Sequence, residues 1–129
     1  MKANGAFEVV HKPESEEKVG TLSFSRWSLS KTFSGELAAT STVEMLSVGS
    51  EFNGSAAYVA MERVVGTLGG KGGSFVLIHN GFMNKQSQHL TVKVVDGCST
   101  GELLGLEGSM TIDIKDGMHF YSFEYEIKG

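Results

Sequence analysis

AAYVAMERVVGTLGGKGGSFVLIHNGFM, residues 56–83, places two apolar runs on either side of a glycine-rich interruption. The runs are 56–66 and 74–83, with TLGGKGG between them. β-rich runs joined by such a turn read as an antiparallel hairpin. Both faces of each run carry apolar residues. In the first, Val59, Met61 and Val65 alternate with Tyr58, Ala60 and Val64; in the second, Val76, Ile78 and Phe82 alternate with Phe75, Leu77 and Met83. One apolar face suffices for the core, so the second must be covered by something else. The least costly cover is another copy of the chain, which predicts a homodimer formed through the outer wall.

Working outward, TFSGELAATSTVEMLS (32–47) alternates with period two throughout, the strongest strand signal in the chain. It reads as one long curved strand with Gly35 at a bend. Upstream, GTLSFSRWSLSKTF (20–33) alternates as well, with a break near Leu29 to Lys31. AFEVVH (6–11) is a short strand, followed by KPESEEK as a charged surface loop. Downstream, HLTVKVV (89–95) is a further strand, and 96–108 is turn-rich, with ELLGL as a short strand or one helical turn. SMTIDI (109–114) and HFYSFEYEI (119–127) form a hairpin around Asp116-Gly117. About eight strands and no amphipathic helix predict an all-β fold, a single closed antiparallel barrel spanning 1–129.

Composition narrows the functional classes. The 129 residues carry 11 basic and 15 acidic side chains, net −4, with no basic cluster, which argues against a nucleic-acid partner. No apolar run reaches the roughly 18 residues of a membrane span, and the N-terminus does not read as a secretory signal, so no membrane partner and a cytoplasmic location are expected. A single cysteine, Cys98, excludes an internal disulfide. No HxH, HxxxH or CxxC spacing is present, so no metal site is expected. GGKGGS lacks the GK[ST] and following helix of a phosphate loop.

The residues that could carry chemistry lie on the central hairpin and the last strand. A turn centred on Gly70 and Lys71 would set Glu62 opposite His79, Val64 opposite Leu77 and Gly66 opposite Phe75. Glu62 and His79 side by side in an apolar barrel would form an acid/base pair, with Tyr58 on the same side. The competing reading is a polar pair that only fixes register. His119, Tyr121 and Tyr125 form an amphipathic aromatic set on the last strand, suited either to lining a ligand cavity or to packing. Glu44 joins the candidate pocket if its face points inward, and is ordinary wet surface if outward.

KTFSGEL (31–37), YVAMERVVGTLGGKGGSFVLIHNG (58–81), GCSTGELLGLEG (97–108) and GMHFYSFEYEI (117–127) resemble a family of small bacterial proteins of uncharacterised function with an allene-oxide-cyclase-like β-barrel fold. The resemblance covers nearly the whole chain. It departs at Cys98 and Ser99, where the family pattern has an extra Gly or Thr. It implies an eight-stranded barrel, often dimeric, without a known cofactor, and it transfers no catalysis. Three functions stay open. One is a barrel binding a small apolar or amphipathic molecule. Another is an isomerase- or cyclase-like enzyme using Glu62 and His79. The third is an interaction protein with a filled interior.

Overall fold

Alternating sequences become long strands in the computed structural model, which describes residues 1–129. The strands are β1 (Lys2–Val19), β2 (Leu22–Gly35), β3 (Leu37–Ser50), β4 (Ala56–Leu68), β5 (Lys71–Met83), β6 (Gln88–Val94), the two-residue β7 (Thr100–Gly101), β8 (Leu106–Lys115) and β9 (Met118–Ile127). All neighbours are antiparallel. The order β4-β3-β2-β1-β9-β8-β6-β5 closes through a β4–β5 pairing into an eight-stranded barrel, with β7 bridging to one end of β5. No helix is long and apolar enough to cross a membrane.

Four local readings change. KPESEEK is not a loop but the outer half of β1, paired to β2 as far as Val19↔Leu22. β2 runs unbroken through Leu29 and Lys31. The long run 32–47 is two strands, because the chain reverses at Gly35, where φ is +102°. The Glu102–Gly105 segment is neither strand nor helix; consecutive turn bonds, such as Leu106 N–H to Leu103 C=O at 3.0 Å, fold it across one end of the barrel.

The two ends of the barrel differ. β1 pairs with β9 only over Lys2–Phe7, and β6 meets β8 at a single pair, Lys93↔Ser109. Around these contacts the interior is solid. Phe33, Leu37, Val64, Leu68, Phe75, Met110 and Phe123 belong to one core of 15 buried residues. Leu103 and Leu106 from the folded turn cap it. The Tyr121 hydroxyl donates to Ser34 C=O at 2.8 Å and accepts from Leu37 N–H at 3.0 Å, tying β9 to the β2–β3 reversal. Beyond Phe7, β1 has only β2 beside it, and the sheet opens. There the inner-face residues Trp27, Leu29, Met45 and Tyr58 are half-buried. The free edge of β1 is protected by Lys12, Glu14, Glu16, Glu17 and Lys18 and by an irregular register between Pro13 and Ser15, devices that discourage edge-to-edge pairing.

Candidate functional site

The β4–β5 hairpin positions the site. Its turn is Gly69-Gly70, with φ of +57° and +84°, so Leu68 pairs with Lys71. Two adjacent left-handed residues define the tight hairpin turn whose twist matches the strands. The register is therefore two residues from the expected one. Glu62 pairs with Leu77, Val64 with Phe75 and Gly66 with Gly73, while His79 pairs with Ala60. A shift of two keeps every side chain on its face, whereas a shift of one would have turned Glu62 outward. Glu62 and His79 thus meet diagonally on the inner wall.

Their contact is close. Glu62 is fully buried and His79 nearly so, with His79 Nε2 at 2.7 Å from Glu62 Oε1. Two residues not anticipated from sequence complete the cluster. Lys31 Nζ lies 3.2 Å from the same Oε1, and Ser41 Oγ donates to Oε2 at 2.6 Å. Lys31 also sits over the Phe7 ring, 4.8 Å from its centroid. Burial by itself pushes the Glu62 carboxyl toward a higher pKa. The His79 hydrogen bond, the Lys31 charge and the Ser41 hydroxyl together outweigh it and hold the group below the ordinary carboxylate value.

An ionised Glu62 can only accept, so Nε2 of His79 carries a proton. In the neutral ring Nδ1 is then a free lone pair. Nδ1 has no partner within the protein, and the one side-chain polar atom that is both enclosed and unpartnered is Ser99 Oγ. Nδ1 therefore borders space that solvent reaches. The division of labour differs from a symmetric acid/base pair. Both Glu62 oxygens are engaged, so its carboxylate fixes the orientation of the imidazole and leaves Nδ1 as the ring nitrogen without a protein partner.

Tyr58 is next along this wall. It pairs with Gly81, and its ring covers that glycine: a Cβ added at Gly81 would lie 2.2 Å from Tyr58 Cε1. Burial raises the Tyr58 hydroxyl pKa. A cavity of about 140 Å³ opens at this end, with Met45, Ser47, Tyr58, Gly81 and Leu90 in its wall. His79 stands one inner-face step beyond Gly81 and is not part of that wall. The larger clefts, of about 670, 610 and 530 Å³, lie elsewhere and contain neither Glu62 nor His79.

The other anticipated residues do not join the cluster. Glu44 is exposed on the outer wall, because the inner column of β3 is Leu37, Ala39, Ser41 and Val43. His119 is half-buried against Phe7, ring centroids 5.1 Å apart, in the cleft where β1–β9 pairing ends. Tyr121 is an anchor of the solid end, and Tyr125 stacks on Phe123 at 5.3 Å on that same side. Lys31 had a signal in the sequence. It falls on the apolar column Trp27, Leu29, Phe33, where an isolated lysine needs a buried partner.

Fold and site together define a closed antiparallel barrel, solid at one end and open at the other, with an ionic cluster at the boundary. The chain belongs to the family of proteins of unknown function DUF3224, whose model matches residues 3–125. It is similar to a crystal structure of a DUF3224-family protein of unknown function from Shewanella oneidensis MR-1, with 45% identity and a TM-score of 0.93, covering 100% of this chain and 98% of that one. No curated protein matches the chain.

Proposed function

We propose that the protein is a small-molecule-binding barrel whose open end takes a compact apolar or amphipathic ligand, with His79 as the polar contact at its floor. The observation that carries this reading is the unpaired, solvent-bordering Nδ1 on an imidazole otherwise fixed by a buried carboxylate. Both Glu62 oxygens are engaged within the cluster, so this nitrogen is the one atom of it left open to a visiting molecule. The adjoining cavity, about 140 Å³, is close to the roughly 150 Å³ that holds one benzene ring. It is below the few hundred Å³ typical of drug-sized ligands, so there is room for about one ring and anything larger extends along the open trough. Trp27, the single tryptophan, stands on the inner face at this end, so its emission reports occupancy. Titration with toluene should give a saturable change in that emission, lost in Gly81→Leu. A linear, unsaturable response would remove the reading.

The outer wall supports a second reading, self-association. Leu46, Val59, Met61 and Ile78 are each about half exposed, and the cross-strand pairs Leu46↔Val59 and Met61↔Ile78 make them one patch. They line a groove of about 420 Å³ together with Arg26 and Glu44, neither of which has an ionic partner within the chain. An apolar strip flanked by one unpaired charge of each sign is self-complementary under a two-fold axis.

A further inference from the structure

The cavity of about 140 Å³ at the open end has a polar side of its own, made by Ser47, Tyr58 and Gln88. Strand register sets all three on the inner face: Ser47 pairs with Tyr58, Tyr58 with Gly81, and Gln88 with Met83. The Tyr58 hydroxyl is the most closely placed. Cζ, the atom that carries it, lies 2.8 Å from where a Gly81 Cβ would be, so the hydroxyl stands beside Gly81, itself part of the wall. Ser47 and Tyr58 are half-buried, and none of the three side chains makes a hydrogen bond within the chain. None is an enclosed orphan, so each is open to a visiting molecule. We propose that the ligand carries an uncharged oxygen, of the alcohol or ketone kind, which sits against Ser47 and accepts a hydrogen bond from the Tyr58 hydroxyl. This rests on the binding reading above. It adds the chemistry of the ligand's end nearer the mouth, since Tyr58 and Gly81 stand one inner-face step closer to the rim than Ala60 and His79.

The composition of the wall argues for a neutral oxygen. It contains no lysine, arginine or carboxylate. An ionised group brought there would lose water without gaining an opposite charge. The imidazole of His89 also borders the cavity, but it is exposed and lies on the outer side of β6, opposite Phe82. The three inner polar side chains are two hydroxyls and an amide, all able to donate. Their common complement is an acceptor. Burial raises the Tyr58 pKa, so the phenol meets the ligand as a protonated donor. A ligand without the oxygen would strip water from these groups and return no hydrogen bond. Met45, Ala56, Met83 and Leu90 make the apolar part of the wall and take the body of the molecule.

Probes of nearly one shape test this by titration of Trp27 emission and of the backbone amide spectrum: ethylbenzene, benzyl alcohol, benzylamine and benzoate. Benzyl alcohol should saturate and shift the amides of Ser47, Tyr58 and Gly81. Tyr58→Phe, which keeps the ring over Gly81, should weaken benzyl alcohol about fivefold, the scale of one hydrogen bond, and leave ethylbenzene unchanged. Adding Ser47→Ala should weaken the alcohol further and again spare ethylbenzene. Each variant compares a ligand with itself, so differences in aqueous solubility between ligands cancel. Benzylamine and benzoate, the cationic and anionic probes, should bind less tightly than the alcohol. An alcohol affinity indifferent to both substitutions would overturn the proposal, as would an equal loss for alcohol and ethylbenzene. So would a charged probe as tight as benzyl alcohol, or saturation by ethylbenzene alone. In those cases the binding barrel stands and only the ligand chemistry falls. If none of the probes saturates, the binding reading fails first and takes this inference with it.

Discussion

Glu62 is the residue on which the interior turns. It is a carboxylate with no exposed surface, satisfied by a lysine, a histidine and a serine from three other strands. Removing one member of a buried ion pair leaves the other uncompensated, so Glu62→Gln should lower the unfolding free energy by about 3–5 kcal/mol, measured by denaturant titration. Adding Lys31→Met to that variant should recover much of the loss, because the stranded charge is gone. The pH dependence follows from the direction of the shift. The folded carboxyl lies below its ordinary value of 4.5, so its stabilisation is fully present above that value and fades as pH falls through the folded pKa. The stability gap between wild type and Glu62→Gln should therefore narrow on acidification below about pH 4.5. A gap that widens toward low pH would contradict the cluster. Glu62 and His79 were readable from the sequence because strand parity alone put them on one side of the hairpin. Lys31 was not, because a break placed at Leu29 to Lys31 severed it from the Trp27–Phe33 column. Ser41 looked like any serine in an alternating strand until a carboxylate was found opposite it.

At the scale of elements, the β4–β5 hairpin shows what a sequence pattern can and cannot fix. Parity specifies the face, and the position of the turn specifies the register within that face. TLGGKGG offers several turn positions, four of its residues being glycine. The chain takes Gly69-Gly70, the adjacent pair at which two left-handed residues produce the tightest return. Gly70 isolates this backbone requirement, since a Cβ there would meet nothing within 4 Å. Gly70→Val should cost about 1–2 kcal/mol through strain alone, and Gly70→Asn distinctly less, because asparagine tolerates the left-handed region. Equal melting temperatures for the two variants would show that the turn lies elsewhere. Other strands were hidden for different reasons. The KPESEEK half of β1 has solvent on both faces and one strand neighbour, so it carries no alternation. The run 32–47 alternates straight through a chain reversal, because Gly35 and Glu36 happen to preserve the parity of both flanking strands.

For the whole molecule, closure of the barrel leaves the apolar side chains of β3, β4 and β5 on a wall that the core does not use. Those second faces were visible in the sequence as runs apolar on both sides, while the asymmetry between a solid and an open end was not. That asymmetry arises from where β9 stops pairing with β1 and β8 with β6, which no local pattern encodes. The exposed wall has a measurable consequence. Stable interfaces bury about 800 Å² per partner and place apolar anchors at the centre with polar groups at the rim. Leu46, Val59, Met61 and Ile78 supply such a centre, and Arg26 and Glu44 supply a rim without internal partners. In sedimentation velocity the protein should run as a dimer at micromolar concentration, and Met61→Lys should yield a folded monomer, since this side chain contributes nothing to the core. Arg26→Glu should weaken the dimer by setting like charges together, and combining it with Glu44→Arg should restore association by exchanging the two signs. Wild type that sediments as a monomer at tens of micromolar would mean that the wall has no second copy as its cover. Restoration by the charge exchange would show that the two signs act as a pair at the interface, as a two-fold contact through this groove requires.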